Sequence, residues 1–229
     1  MSEKLSEIFG IKIDNAELFN QALTHPSFTQ ENNLDYTMCY ERLEFLGDAV
    51  LKLTVSNVLY DMYPDSTEGE LSKIRSIIVS DNVLAQVAKQ NGLSELIIMS
   101  RSEDKHGGRK LNSICACAFE AVLGAYYLDN KYGEILRYIE NTFTPHIKDV
   151  KNNLGKYHAK ELLQEYTQGL TKNTPVYTVI NESGPEHKKV FEVEVKYNDE
   201  ILAIEKGSTK KDAEQKAAYT ACVKLGICK

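Results

Sequence analysis

Apolar residues recur every three or four positions through most of the first 150 residues, which is the spacing of amphipathic helices. No segment before residue 170 alternates apolar and polar residues as a half-buried strand does. The pattern therefore predicts an all-helical first half, interrupted by a charged, glycine-containing loop, RSEDKHGGRKLN. The predicted helices are AELFNQALTHPSF, ending near Pro26; MCYERLEFLGDAVLKLTVSNVLYDMY, ending before Pro64; EGELSKIRSIIVSDNVLAQVAKQNG, with Gly92 as its C-cap; ICACAFEAVLGAYYLD; and KYGEILRYIENTF.

The pattern changes near KDVKNNLGKYHAK, a polar stretch typical of a linker. A short helix, AKELLQEYTQG, follows it, and then come three strand-like segments, TPVYTVINESG, KVFEVEVKYN and ILAIEKG. The middle segment alternates, with Val193 and Val195 on one face and charged residues on the other. A closing helix, STKKDAEQKAAYTACVKLG, completes an α-β-β-β-α order. We therefore expect an all-α domain at residues 1–150, a linker at 151–157 and an α+β domain at 158–229.

The composition, 42% hydrophobic and 26% charged over 229 residues, is that of an ordinary globular protein. The chain begins without an apolar signal segment, and no apolar run is long enough to cross a bilayer. The five cysteines form no C-x-x-C pair, so we expect free thiols in a reducing cytoplasm. The net charge of −6 divides unevenly, because residues 1–150 carry −8 and residues 151–229 carry +2. The two parts are therefore expected to have different roles.

Three carboxylates, Glu41, Glu44 and Asp48, recur at i, i+3 and i+7 and form one stripe on a helix. Apolar neighbours, among them Phe45, surround the stripe, so at least part of it is expected to face inward. The stripe could be a solvated helix face, its acids could pair with nearby cations, or they could hold a divalent metal. The candidate cations are Arg42, Lys52, Lys73 and Arg75.

A fourth acid, Glu120, favours the metal, because a second apolar helix then places a carboxylate inward where it can face the stripe. Burying several carboxylates together is costly unless a cation offsets desolvation and mutual repulsion. Clusters of Glu and Asp oxygens suit Mg²⁺ or Mn²⁺. A two-metal carboxylate site activates water and stabilises the charge that develops at phosphorus. The residues alone therefore suggest hydrolysis of a phosphodiester.

The segment ERLEFLGDAVL, at residues 41–51, resembles the signature of the ribonuclease III family, the endonucleases that cut double-stranded RNA. Three further segments, ALTHPSF, EGELSKIRS and FEAVLGAYYLD, match the family in the same order. The second half resembles a double-stranded-RNA-binding domain in KELLQEYTQG, GPEHKKVFEVEV and GSTKKDAEQKAA. The resemblance spans essentially the whole chain and corresponds to the bacterial two-domain form.

The resemblance implies a homodimeric, all-α endonuclease domain in which each protomer supplies one cutting centre. Together the centres would cut both strands and leave a short 3′ overhang, a 5′ phosphate and a 3′ hydroxyl, in the processing of ribosomal, messenger and transfer RNA precursors. The family motif matches Glu44, Asp48 and Glu120 to ligands of Mg²⁺, for which Mn²⁺ can substitute, and matches Asp48 and Glu120 to the catalytic acids. Glu41 and Glu68 match acids that place the RNA near the dimer-related cleft.

Position 117 departs from the family motif, which is expected to have an Asp three residues before Glu120. Cys117 is a soft ligand that prefers Zn²⁺ or Cu⁺ and is mostly protonated near neutral pH. The thiol could instead pack as a small hydrophobe, form a zinc site with Cys115, or be an introduced substitution. The principal hypothesis is a metal-dependent, double-strand-specific endoribonuclease. The alternative is a double-stranded-RNA-binding protein whose cleavage is weakened or lost through Cys117.

Double-stranded RNA is recognised by shape, through contacts with phosphates and 2′-hydroxyls across two minor grooves and the major groove between them. We expect the first helix of the second half and the turn GPEHK to reach minor grooves. The start of the closing helix is expected to bind phosphate, because a helix N-terminus with adjacent lysines attracts anions. The candidate RNA contacts are Glu161, Gln164, Glu165, Gln168, His187, Lys210, Lys211 and Lys216. In the first half, His25 is expected to cap the following turn and to have no catalytic role.

Overall fold

The computed structural model describes residues 1–185 and 188–228, and the chain divides into two compact units, Met1–Asp149 and Val150–Lys229. Within the described residues the first unit is helical, apart from one isolated bridge between Thr24 and Ile98, so the predicted all-α architecture is confirmed. Its helices are α1 (Ser2–Phe9), α2 (Ala16–Ala22), α3 (Pro26–Glu31), α4 (Glu41–Met62), α5 (Glu68–Ile78), α6 (Asp81–Gln90), α7 (Arg101–Lys105), α8 (Asn112–Leu128) and α9 (Tyr132–Asn152), with 3₁₀ turns at Tyr36–Met38, Leu93–Leu96 and Gly108–Lys110.

The second unit has the predicted α-β-β-β-α order. Its three strands form one antiparallel sheet in the order β1-β2-β3, and α12 packs on β2 and β3. Val193 and Val195 are fully buried, as the alternation predicts, but Glu194 between them is buried too, where its carboxylate accepts a hydrogen bond from the ammonium of Lys196 at 2.6 Å. The stretch 151–157, predicted as a linker, is mostly helical, because α9 extends through Asn152 and α10 follows. The elements are α10 (Leu154–Tyr157), α11 (Ala159–Thr171), β1 (Val176–Ser183), β2 (Val190–Tyr197), β3 (Glu200–Gly207) and α12 (Lys210–Lys224).

Pro26 begins a helix, whereas the pattern predicts that it ends one. A proline fits the first turn of a helix, because the N–H that it lacks would have no intrahelical partner there. His25 is the N-cap of α3, and its ring nitrogen Nδ1 accepts a hydrogen bond from the backbone N–H of Ser27 at 3.1 Å. The predicted capping role of His25 is therefore confirmed.

The segment predicted as one helix from Glu68 to Gly92 is two helices, α5 and α6. The backbone leaves helical geometry at Ser80, the N-cap of α6, whose ψ of 149° is extended. Gly92 follows the end of α6 at φ 85°. The predicted loop RSEDKHGGRKLN contains α7, because the Ser100 side chain caps a short helix by accepting a hydrogen bond from the N–H of Glu103.

The central helix of the first unit is α8, which has eleven buried residues and packs against α2, α4 and α6. Because most of its residues are apolar and buried, α8 forms the core around which the others assemble. None of the described helices combines the length and the apolarity needed to span a membrane. All five cysteines are free thiols, as expected.

Two glycines let the backbones of α4 and α8 touch where the helices cross. A Cβ atom on Gly47 would overlap the carbonyl oxygen of Glu120, and one on Gly124 would overlap the carbonyl oxygen of Leu43. No other residue fits at either point without moving a helix. This crossing brings Asp48, the neighbour of Gly47, to the helix that carries Glu120.

We predict that Gly47→Ala destabilises the first unit by about 3 kcal/mol or more, at the upper end of the cost of overpacking a core. Gly69→Ala is the matched control, because Gly69 lies in α5 with open space where its Cβ would be. It should leave stability unchanged or raise it by up to about 1 kcal/mol. Thermal and urea unfolding measure both variants. Equal stability of the two would show that the helices do not cross this closely.

Candidate functional site

An open groove of about 560 Å³ is lined by α4, by α8 and by the segment that leads into α6. It contains five carboxylates, four of which are predicted site residues. The fifth, Asp81, was not predicted. The lining residues are Glu41, Glu44, Phe45, Asp48, Lys52, Val79, Asp81 and Glu120. The structure therefore brings the acidic stripe of α4 and the acid of α8 to one surface, as the sequence pattern predicts.

The carboxylate stripe on α4 is half-buried and has one cation. The ammonium Nζ of Lys52 lies 2.7 Å from Oδ2 of Asp48, one helical turn away. Of the other candidate cations, Arg75 donates to the hydroxyls of Ser56 and Ser72. One ammonium cannot offset the charge of the whole stripe, so neither a fully solvated face nor complete ion pairing describes the groove.

The pKa of Glu120 shows most clearly the effect of this incompletely offset negative charge. Burial, together with the negative charges of Asp48, Glu44 and Asp81, raises the pKa of Glu120 from 4.5 to about 8, and Lys52 opposes this only in part. Burial also raises the pKa of Glu44. The groove therefore has more negative charge than its own cation compensates, which is the condition that favours a bound cation.

Cys117 lies near Glu44. Burial and the neighbouring charge of Glu44 raise the pKa of the thiol to about 12, so it stays protonated at neutral pH. The thiol supplies no hard oxygen to the groove. Cys115 is fully buried, and its thiol donates to the carbonyl oxygen of Arg109 at 3.1 Å, away from the groove.

The chemistry of these donors fits an oxygen-preferring divalent cation. Glu44, Asp48 and Glu120 offer carboxylate oxygens around one groove whose negative charge is only partly offset. In residues 1–185 and 188–228, no three His, Cys, Asp or Glu side chains lie close enough together to hold an ion as they stand. The acids would therefore have to turn toward an ion in order to bind it jointly.

One residue lies differently from the expectation. Phe45 is 82% exposed, whereas we expected it to help bury the stripe. The reason is geometric: Leu43 and Gly47 form the buried face of α4, and a residue two positions from each points to the opposite side. Glu68 lies outside the groove, where its carboxylate accepts a hydrogen bond from the hydroxyl of Ser72 at 2.7 Å.

Asp81 is the groove residue that the sequence analysis missed. It is the first residue of α6, immediately after the N-cap Ser80. The pair Ser-Asp is a common start of a helix, and it stands in the middle of the segment predicted as one continuous helix. Recognising that signal would have divided the segment and placed Asp81 at a helix terminus.

The candidate RNA contacts of the second unit are exposed where the structure describes them. The four on α11 follow at i, i+3, i+4 and i+7, so they share one helix face. Lys210 pairs with Glu182 at 3.1 Å, and Lys216 pairs with Asp212 at 3.0 Å, whereas Lys211 is exposed and has no such pair among residues 1–185 and 188–228. His187 lies outside the described residues.

The raised pKa of Glu120 predicts how stability depends on pH. A carboxyl group whose pKa is higher in the folded chain than in the unfolded chain contributes most to the stability of the fold below pH 4.5. This contribution is lost as the pH rises through about 8. In metal-free buffer with EDTA, Glu120→Gln should therefore raise the melting temperature at pH 9 relative to the natural chain, with no gain at pH 4. Glu7→Gln, at an exposed site in α1, is the control and should show no such trend. A gain for Glu120→Gln that does not change with pH would contradict the prediction.

Comparison with known proteins identifies the family. Residues 15–147 match a ribonuclease-III-like family model, and residues 159–225 match the double-stranded RNA binding motif. A protein called ribonuclease 3 from Staphylococcus haemolyticus is 40% identical over 98% of this chain and 91% of its own length; one from Staphylococcus aureus is 40% identical over 97% and 90%. The solved nuclease domain of ribonuclease III from Campylobacter jejuni has a TM-score of 0.56 and 36% identity, over 62% of this chain and 99% of that one. The chain therefore belongs to the ribonuclease III family.

Proposed function

We propose that this protein is an endoribonuclease that cleaves both strands of double-stranded RNA and leaves 5′-phosphate and 3′-hydroxyl ends with a short 3′ overhang. The observation that carries the proposal is the groove that Glu44, Asp48 and Glu120 line together, in which Lys52 is the one ammonium group among the described residues. Membership of the family and the double-stranded RNA binding motif support the substrate class. The substrates are structured precursors, above all ribosomal RNA and also messenger and transfer RNA, and the protein acts in the cytoplasm.

The resident cation in this proposal is Mg²⁺, with Mn²⁺ as a substitute, held by Glu44, Asp48 and Glu120. When bound, such ions supply an activated water and stabilise the charge that develops at phosphorus. Lys52 holds the Asp48 carboxylate at the groove through their ion pair. Cys117 lies near Glu44 as a neutral thiol. Asp48 and Glu120 are proposed as the catalytic acids, with Glu41 and Glu68 positioning the RNA.

The proposed enzyme is a homodimer. An aromatic side chain that is 82% exposed, Phe45, stands beside a largely apolar pocket of about 670 Å³. Large exposed apolar groups of this kind mark interfaces between proteins. The solved Campylobacter jejuni nuclease domain is described as having a region involved in dimer formation. The pocket is lined by Leu18, Gln21, Tyr36, Cys39, Glu41, Arg42, Leu43, Phe45, Leu46 and Leu128.

A second candidate function is supported by Cys117. Its protonated thiol adds no oxygen ligand beside Glu44, so the groove offers a cation one hard donor fewer than an Asp would provide. Loss of one donor weakens a metal site. In this alternative the protein binds double-stranded RNA and cleaves it slowly or not at all.

A cleavage assay on a long RNA duplex separates the two functions. We expect cleavage that is faster with Mn²⁺ than with Mg²⁺, because Mn²⁺ tolerates softer surroundings, and that is lost in Glu120→Gln and Asp48→Asn. Glu7→Gln should cleave like the natural chain. No cleavage with either ion, together with activity in Cys117→Asp, would establish the second candidate.

We predict that Lys210→Ala/Lys211→Ala weakens duplex RNA binding and makes it less dependent on salt, because each lysine that binds a phosphate adds about one unit to the log–log slope. Lys211→Ala alone should account for the larger part of the loss in RNA affinity, because Lys210 already pairs with Glu182. Lys224→Ala, at the other end of α12, is the control. Filter binding or fluorescence anisotropy at several salt concentrations measures the effect. Unchanged binding and slope would show that phosphate binds elsewhere.

A further inference from the structure

Four acids of the groove belong to the two crossing helices, and one does not. Glu41, Glu44 and Asp48 lie on α4, and Glu120 lies on α8. Asp81 belongs to a third helix, α6, and lines the same groove. A cation held by carboxylates prefers ligands from several directions, because its coordination shell surrounds it. Asp81 therefore adds a carboxylate from a helix other than the two that carry the remaining acids.

The side chain of Asp81 is free to turn. It is exposed, and within residues 1–185 and 188–228 its carboxylate has no hydrogen bond or ion pair. Asp48, in contrast, already binds the ammonium of Lys52. Turning the Asp81 carboxylate toward an ion in the groove therefore breaks no existing contact.

The charge of Asp81 acts on groups of both α4 and α8. It contributes to the raised pKa of Glu44 on α4 and to those of Cys117 and Glu120 on α8. The charge of Asp81 therefore reaches the surroundings of the thiol.

We propose that Asp81 ligates the divalent cation of the groove and supplies the oxygen donor that Cys117 does not. This inference rests on the proposed function, because it takes the groove as a cation site. Asp81, a residue of α6, has a free carboxylate and lines the groove together with Glu44 and Glu120, the acids near the thiol. The expected consequence is that the natural chain depends on Asp81 more strongly than a chain with an acid at position 117.

Direct Mn²⁺ binding to the full chain, followed by the loss of the electron paramagnetic resonance signal of free Mn²⁺, tests the proposal without any cleavage. Asp81→Asn should weaken Mn²⁺ binding about tenfold, a typical loss for a single group that supports a metal site. Asp81→Glu, which keeps the carboxylate, should retain most of the affinity. Asp61→Asn, at an exposed position near the end of α4, is the matched control and should bind like the natural chain. Circular dichroism confirms that each variant is folded.

The Cys117→Asp background distinguishes a ligand from a remote charge. Cys117→Asp should strengthen Mn²⁺ binding, and in that background Asp81→Asn should weaken it by a clearly smaller factor than in the natural chain, because the new acid supplies the missing oxygen. An unchanged affinity in Asp81→Asn, or the same loss in both backgrounds, would overturn the proposal while the natural chain still binds Mn²⁺ and cleaves RNA. If the natural chain neither binds Mn²⁺ nor cleaves RNA, the proposed function fails and the role of Asp81 falls with it.

Discussion

The contact between the backbones of α4 and α8 is the constraint on which the site depends. At Gly47 and Gly124 neither helix has a side chain, so each backbone lies against a carbonyl oxygen of the other. Such a short interhelical distance places Asp48 and Glu120 on adjoining elements even though 72 residues separate them along the chain. The two halves of the acidic groove are therefore positioned by packing in the core rather than by contacts between the acids, which repel each other.

That repulsion is a cost that the core has to offset. Four acids of the groove are half-buried, and Lys52 is the ammonium that pairs with one of them. The neutral thiol of Cys117 reduces the repulsion, because a carboxylate at that position would add a further charge beside Glu44 and Glu120. A thiol at position 117 therefore favours the stability of the cation-free fold. The same substitution removes a hard donor.

Much of the architecture could be predicted from periodicity. The helical spacing of the first half, the alternation around Val193 and the α-β-β-β-α order all correspond to the structure, because each follows from which residues must be buried. The ends of the helices were less predictable. Pro26 begins one helix and Ser80 caps the start of another, each inside a segment whose apolar residues recur without a break. Caps and first-turn residues depend on the local backbone and do not interrupt the hydrophobic pattern.

The candidate site likewise combines features that the sequence predicts with features that it does not. The sequence by itself determined which acids share a helix face, since Glu41, Glu44 and Asp48 follow from helical spacing alone, and it marked Glu120 as an acid in an apolar helix. Only the tertiary structure decided that Asp81 joins them and that Glu68 does not. Spacing along one helix is a local property of the chain, whereas the approach of α6 to α4 and α8 depends on how three helices pack around a common core.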